Sequence, residues 1–190
     1  MKAFRRVEGR IAVLDRADVD TDQIVPKQFL KRIDRTGFGE FLFYDWARDP
    51  AFELNRPEAS GARILVVGRN FGCGSSREHA AWAIQDAGFE VVVAPSFGDI
   101  FRTNCLKIGL LPVILPEEQV QALARLGSGA ELTVDLEAQE IGPYPFELAP
   151  FERRRLLEGL DDVALTLRQV DEIAAFEAAR SSPVDTRALR

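Results

Sequence analysis

Histidine is almost absent from this 190-residue chain: His79 is the only one, beside two cysteines, Cys73 and Cys105. Three such side chains cannot complete a four-ligand soft-metal site, and two cysteines make no disulfide scaffold. Free thiols fit a cytoplasmic protein, which is the expectation here. Lysine is scarce too, with Lys2, Lys27, Lys31 and Lys107 standing against 20 arginines. The net charge is −6 and there is no basic block, which argues against nucleic acid as a partner. No apolar run approaches the roughly 18–20 residues that cross a bilayer, so no membrane association is expected. The charged start Met1-Lys2-Ala3-Phe4-Arg5-Arg6 has no apolar segment behind it, so no signal peptide is read there.

What is present is an ordinary globular composition, 46% apolar and 28% charged. It suits one domain over residues 1–180, with a polar, flexible tail over 181–190. Residues 4–14 read as a strand or hairpin, 15–23 as an acidic loop and 26–33 as a short helix. Residues 41–46 read as a short strand or an aromatic plug, and 49–61 as a surface loop. The centre is more regular. Apolar strands over 63–68, 89–94 and 111–115 alternate with helices over 76–87 and 96–108, the pattern of right-handed crossovers onto a parallel sheet. Pro116 opens a helix over 117–126. Antiparallel strands over 131–136 and 140–148 follow, then helices over 151–158 and 170–179. The sum is an α/β fold of three β/β/α layers, with a partly parallel core sheet and β-rich flanks.

The stretch Asn70-Phe71-Gly72-Cys73-Gly74-Ser75-Ser76-Arg77-Glu78-His79 lies where a buried strand feeds a helix, a place that gathers backbone N–H groups and positive potential. Ser75 and Glu78 have the spacing of a capping box, with Ser75 as N-cap. Capping leaves Gly72, Gly74 and Arg77 unexplained, since a cation in the first turn meets the wrong end of the helix dipole unless an anion sits between. The dinucleotide fingerprint fails because Arg77 takes the place of its third glycine. The P-loop lacks Gly-Lys-Ser, and a nucleophile elbow lacks its last glycine. A Cys73 nucleophile with a depressed pKa is one remaining reading. The other is a carboxylate-binding turn in which Arg77 clamps the ligand and backbone N–H groups stabilise charge on a serine oxygen. His79 and the aromatics of residues 38–46 read as structural, and Thr103 and Asn104 as braces of the second helix.

Gly74-Ser75-Ser76-Arg77-Glu78-His79-Ala80 resembles the signature of the aconitase superfamily's swivelling domain. Four further stretches resemble the 3-isopropylmalate dehydratase small-subunit family. They are Asp18-Val19-Asp20-Thr21-Asp22-Gln23-Ile24-Val25-Pro26 with Phe29-Leu30-Lys31, Ala94-Pro95-Ser96-Phe97-Gly98-Asp99-Ile100-Phe101 with Asn104-Cys105, Gly109-Leu110-Leu111-Pro112, and Leu157-Glu158-Gly159-Leu160-Asp161-Asp162. The aromatic segment of residues 38–46 resembles the bacterial two-subunit form. Ile108 departs from the pattern, where a polar Asn is expected.

The resemblance implies an aconitase-type swivelling domain and a hydro-lyase that isomerises 2- and 3-isopropylmalate by dehydration and rehydration in leucine synthesis. It implies Ser75 as the proton-abstracting base, with Gly74, Ser76 and Arg77 binding the substrate carboxylate. Lys31 ranks first among Lys27, Lys31 and Arg32 for a second carboxylate. Asp20, Thr21 and Asp22 become site wall or a contact between subunits. The resemblance also implies a 4Fe-4S cluster with three cysteine ligands. This chain has two cysteines, so the cluster is expected on a large-subunit partner and no metal on this chain. A related hydratase of homoaconitase or citraconate/citramalate type, and a carboxylate-binding module without chemistry, remain open alternatives.

Overall fold

The computed structural model describes residues 1–31 and 35–179. The expected flexible tail of 181–190, the end of the 26–33 helix and Arg32 lie outside the described residues.

Four parallel strands form the centre: β1 (Arg6–Leu14), β2 (Ile64–Val67), β3 (Val91–Ala94) and β4 (Leu111–Ile114). Every residue of β2 and β3 is buried. That is why their sequences are uniformly apolar rather than alternating: both faces are covered. Each buried Val, Leu or Ile side chain contributes about 1.5–3 kcal/mol. β5 (Glu131–Asp135) pairs antiparallel with the other edge of β1. It continues into the hairpin of β6 (Glu140–Ile141) and β7 (Tyr144–Pro145), so the strand order is β4-β3-β2-β1-β5-β6-β7.

Two apolar clusters lie on opposite faces. Leu65, Val67, Val92 and Ala94 meet α3 (Glu78–Asp86) and α4 (Asp99–Ile108) on one side. Ala80, Ala81 and Ala83 are buried in α3, and their small size lets it settle close to the sheet. On the other side, Ile64, Val66, Val91 and Val93 share a cluster with α5 (Glu117–Arg125), Val134, Ile141 and Leu156 of α6 (Pro150–Glu158). The parallel sheet is thus a middle layer between helices and the antiparallel arm.

Several boundaries differ from the sequence reading. Residues 140–148 are two short strands, because Gly142 turns the chain at φ +53°. The segment around residues 41–46 contains no strand. It holds a one-turn helix, α2 (Tyr44–Ala47), and stacked aromatics, with Phe29 over Phe41 at 4.0 Å and Phe43 over Trp46 at 5.6 Å. Of the helix expected over 26–33, the described part is a 3-10 turn, Lys27–Lys31. The 49–61 loop holds two further 3-10 turns. A helix not anticipated, α7 (Asp162–Leu167), starts at Asp161, whose carboxylate accepts from the Ala164 N–H at 2.8 Å. α8 (Val170–Ala179) buries none of its residues, and Val163, Leu167, Val170 and Ile173 are exposed. No helix among the described residues is long and apolar enough to cross a membrane.

α4 and α6 are joined by a bidentate pair, Arg102 to Glu152, at 2.8 and 2.6 Å with both side chains about three-quarters buried. The hydrogen bond to Glu152 pushes the Arg102 pKa up despite its burial. Glu152→Ala strands that guanidinium and should destabilise the fold by about 2 kcal/mol in urea unfolding; an unchanged midpoint would contradict it.

Candidate active site

The site lies at the carboxyl ends of the parallel strands, where the chain leaving β1 meets the chain leaving β2. Asp20 caps the short helix α1 (Thr21–Ile24), its Oδ1 accepting from the Asp22 N–H at 2.7 Å and the Gln23 N–H at 2.9 Å. Gln23 Oε1 accepts the Asp20 N–H in return, at 2.9 Å. This reciprocal capping box sits inside what the sequence reads as a plain acidic loop.

Thr21, 2% exposed, ties α1 to the serine turn. Its N–H donates to the Cys73 carbonyl at 2.9 Å and its hydroxyl to the Ser75 carbonyl at 3.1 Å. Asp20 and Cys73 also form an isolated parallel bridge. The two glycines fit this crossing. Gly74 has φ +90° with Asp20 Cβ 3.3 Å from where its own Cβ would stand. At Gly72, φ +73°, a Cβ would lie 2.2 Å from the Phe101 ring. Both positions require glycine.

The capping box expected at Ser75 and Glu78 is not formed. α3 begins at Glu78 with Arg77 as its N-cap, and no side chain caps it. The Ser75 backbone is engaged elsewhere, because its carbonyl accepts from Thr21 Oγ1 and from the Arg77 N–H, the latter at 2.8 Å. Ser75 and Ser76 are therefore exposed, and among the described residues no hydrogen bond takes up either hydroxyl.

Arg77 does meet a carboxylate, and it is internal: its guanidinium pairs with Asp22. The structure thus brings Asp20, Thr21 and Asp22 against Gly74, Ser75, Ser76 and Arg77. Lys31 stands exposed at the end of its 3-10 turn, with no hydrogen bond or ion pair to the serine turn among the described residues.

The low-pKa reading of Cys73 is overturned. Burial, then the Asp20 and Asp18 carboxylates, push the thiol pKa up. The helix dipole gives little help, because α3 starts five residues further on. His79 behaves as a structural residue, its ring 5.0 Å from Phe38 and 4.7 Å from Trp82. Burial lowers its pKa and Nδ1 is enclosed without a partner among the described residues, which favours the neutral imidazole at pH 7. Thr103 braces α4 by donating to the Asp99 carbonyl at 2.9 Å, and Asn104 is buried. The sequence reading gave Asn70 no role, although its side chain bonds Asp18 at 2.9 Å and Asn and Asp are the residues other than glycine that best tolerate left-handed backbone. Among the described residues no three His, Cys, Asp or Glu side chains gather as metal ligands.

Residues 1–118 match the family described as Aconitase C-terminal domain. Residues 162–182 match the family described as the C-terminal domain of the 3-isopropylmalate dehydratase small subunit. The 3-isopropylmalate dehydratase small subunit of Geobacillus kaustophilus is 55% identical over 190 residues, covering 93% of this chain and 96% of the relative. That of Rubrobacter xylanophilus is 56% identical over 187 residues, covering 95% and 96%. Among solved structures, 3-isopropylmalate dehydratase (leuD) of Methanocaldococcus jannaschii superposes with a TM-score of 0.68 at 29% identity, covering 90% of this chain and 99% of that one. The fold is the aconitase-type swivelling domain.

The raised pKa of Cys73 has a direct consequence. Less of the thiol is ionised than in a free cysteine, so at pH 8 native Cys73 should react with iodoacetamide more slowly than a free thiol. A rate above the free thiol's would contradict the assignment.

Proposed function

Because the chain belongs to the family of 3-isopropylmalate dehydratase small subunits, we propose that it works with a large subunit as a hydro-lyase. The pair interconverts 2- and 3-isopropylmalate by dehydration and rehydration in leucine biosynthesis. The relatives' names do not favour a homoaconitase, a citraconate or citramalate enzyme, or a non-catalytic module.

The observation that carries the site reading is the exposed Ser75 on a turn that Thr21 anchors from behind. In this reading Ser75 removes the substrate proton next to a carboxylate. A serine hydroxyl is too weakly acidic to do so in water and needs charge-stabilising donors around its oxygen. The backbone of the turn and the nearby Arg77 supply that setting. Ser76, Arg77 and the Gly74 backbone hold the substrate carboxylate. Asp22 keeps the Arg77 guanidinium aimed, and its five N–H donors can serve Asp22 and substrate together. Lys31 is the candidate for the second carboxylate, and Asp20 belongs to the site wall or to the contact between subunits.

The departing hydroxyl calls for a Lewis acid, in this family an iron–sulfur cluster. The residues of this chain do not fit one. There are only two cysteines, and burial raises the pKa of both thiols, that of the fully enclosed Cys105 far above the usual thiol range. The cluster belongs on the large subunit. Such a soluble pathway enzyme acts in the cytoplasm.

Ser75→Ala in the reconstituted pair should lower kcat by about 10³-fold or more, with assembly of the pair by size-exclusion chromatography unchanged. Turnover within tenfold of wild type would remove Ser75 as the base.

A further inference from the structure

Asp18 and Asn70 are non-glycine residues in left-handed backbone, at φ +56° and +54°. They sit on different loops, after β1 and after β2, and they face each other. Asn70 Nδ2 donates to Asp18 Oδ1 at 2.9 Å, and the Asp18 N–H donates to the Arg69 carbonyl at 2.9 Å. The Arg69 guanidinium lies 3.7 Å from the Asp18 carboxylate. The loop after β3 joins them, since the Asn70 N–H donates to Ser96 Oγ at 2.8 Å.

Burial does not account for these side chains, because both are exposed. Backbone conformation does not account for them either, because glycine would adopt it with less strain. What remains is the bond between them. It opens a ladder that runs from Gly72 N–H to the Val19 carbonyl at 2.7 Å, then from Thr21 N–H to the Cys73 carbonyl at 2.9 Å, and ends at Ser75.

We propose that Asp18 and Asn70 are a positioning pair for Ser75: their hydrogen bond sets the register in which the two loops cross, and so the place of the Ser75 hydroxyl. This rests on the reading of Ser75 as the base. Arg77 shares the turn, its N–H donating to the Ser75 carbonyl at 2.8 Å, but its guanidinium is fixed by Asp22 and its backbone opens α3, so the pair acts on proton removal more than on substrate binding.

The test uses Asn70→Gly and Asp18→Gly in the reconstituted enzyme. Each keeps the left-handed backbone and removes the side-chain bond. The melting temperature should stay within about 2 °C of wild type. Meanwhile kcat should fall about ten- to a hundredfold, with KM moving less than about threefold. Asn70→Asp sets two carboxylates against each other and should be at least as poor. Adding Asp18→Asn restores a donor and should return kcat to within about threefold of wild type.

Wild-type kcat in the glycine variants would overturn the proposal. So would failure of the swapped pair to rescue, or a fall in melting temperature or assembly that tracks the loss of activity. If Ser75→Ala retains turnover while the glycine variants lose it, the base assignment has failed rather than the coupling of this pair to catalysis.

Discussion

Two hydrogen bonds from Thr21 hold the serine turn to the first loop, one to the Cys73 carbonyl and one to the Ser75 carbonyl. β1 and β2 are parallel neighbours in register from Ile11 opposite Ile64 to Leu14 opposite Val67, so their carboxyl ends stop side by side. The chains leaving them stay paired for several residues more. That continued pairing forces the crossing at Gly72 and Gly74, delays the start of α3 to Glu78 and leaves Ser75 and Ser76 facing out. The site is thus a by-product of two strands whose loops are not allowed to part.

The sheet was legible in the sequence because burial on both faces leaves a strong mark. Val91-Val92-Val93 and the run ending at Val67 could hardly belong to a surface strand, and the alanines of α3 needed a close neighbour. Less legible was anything that depends on contacts distant in the chain. Ser75 and Glu78 have capping-box spacing, yet Ser75 is engaged by Thr21 and the box forms instead at Asp20 and Gln23, where a carboxylate-rich stretch reads as a loop. The partner of Arg77 lies 55 residues away at Asp22, beyond the reach of any local rule. Gly142 is a local turn signal inside residues 140–148, and its positive φ splits that stretch into β6 and β7.

The electrostatics of the turn sharpen what it can do. A cation at the start of a helix is unfavourable unless an anion is near, and Asp22 meets that need without any ligand. Arg77 is therefore aimed in advance, which lowers the ordering cost of binding a carboxylate. Cys73, by contrast, is surrounded by burial and two carboxylates that keep its thiol protonated. The reactive candidate in this turn is an oxygen and not the sulfur beside it.

On the proposed function, a serine base and an arginine carboxylate clamp that depend on a Lewis acid held by a partner amount to half an active site. The most direct test is a titration of the cluster-loaded large subunit with this chain, following alkene formation from 3-isopropylmalate. The account predicts no turnover from either protein alone and a rise that saturates at a fixed molar ratio. Turnover by this chain alone, or activity of the large subunit that does not depend on added small subunit, would contradict it.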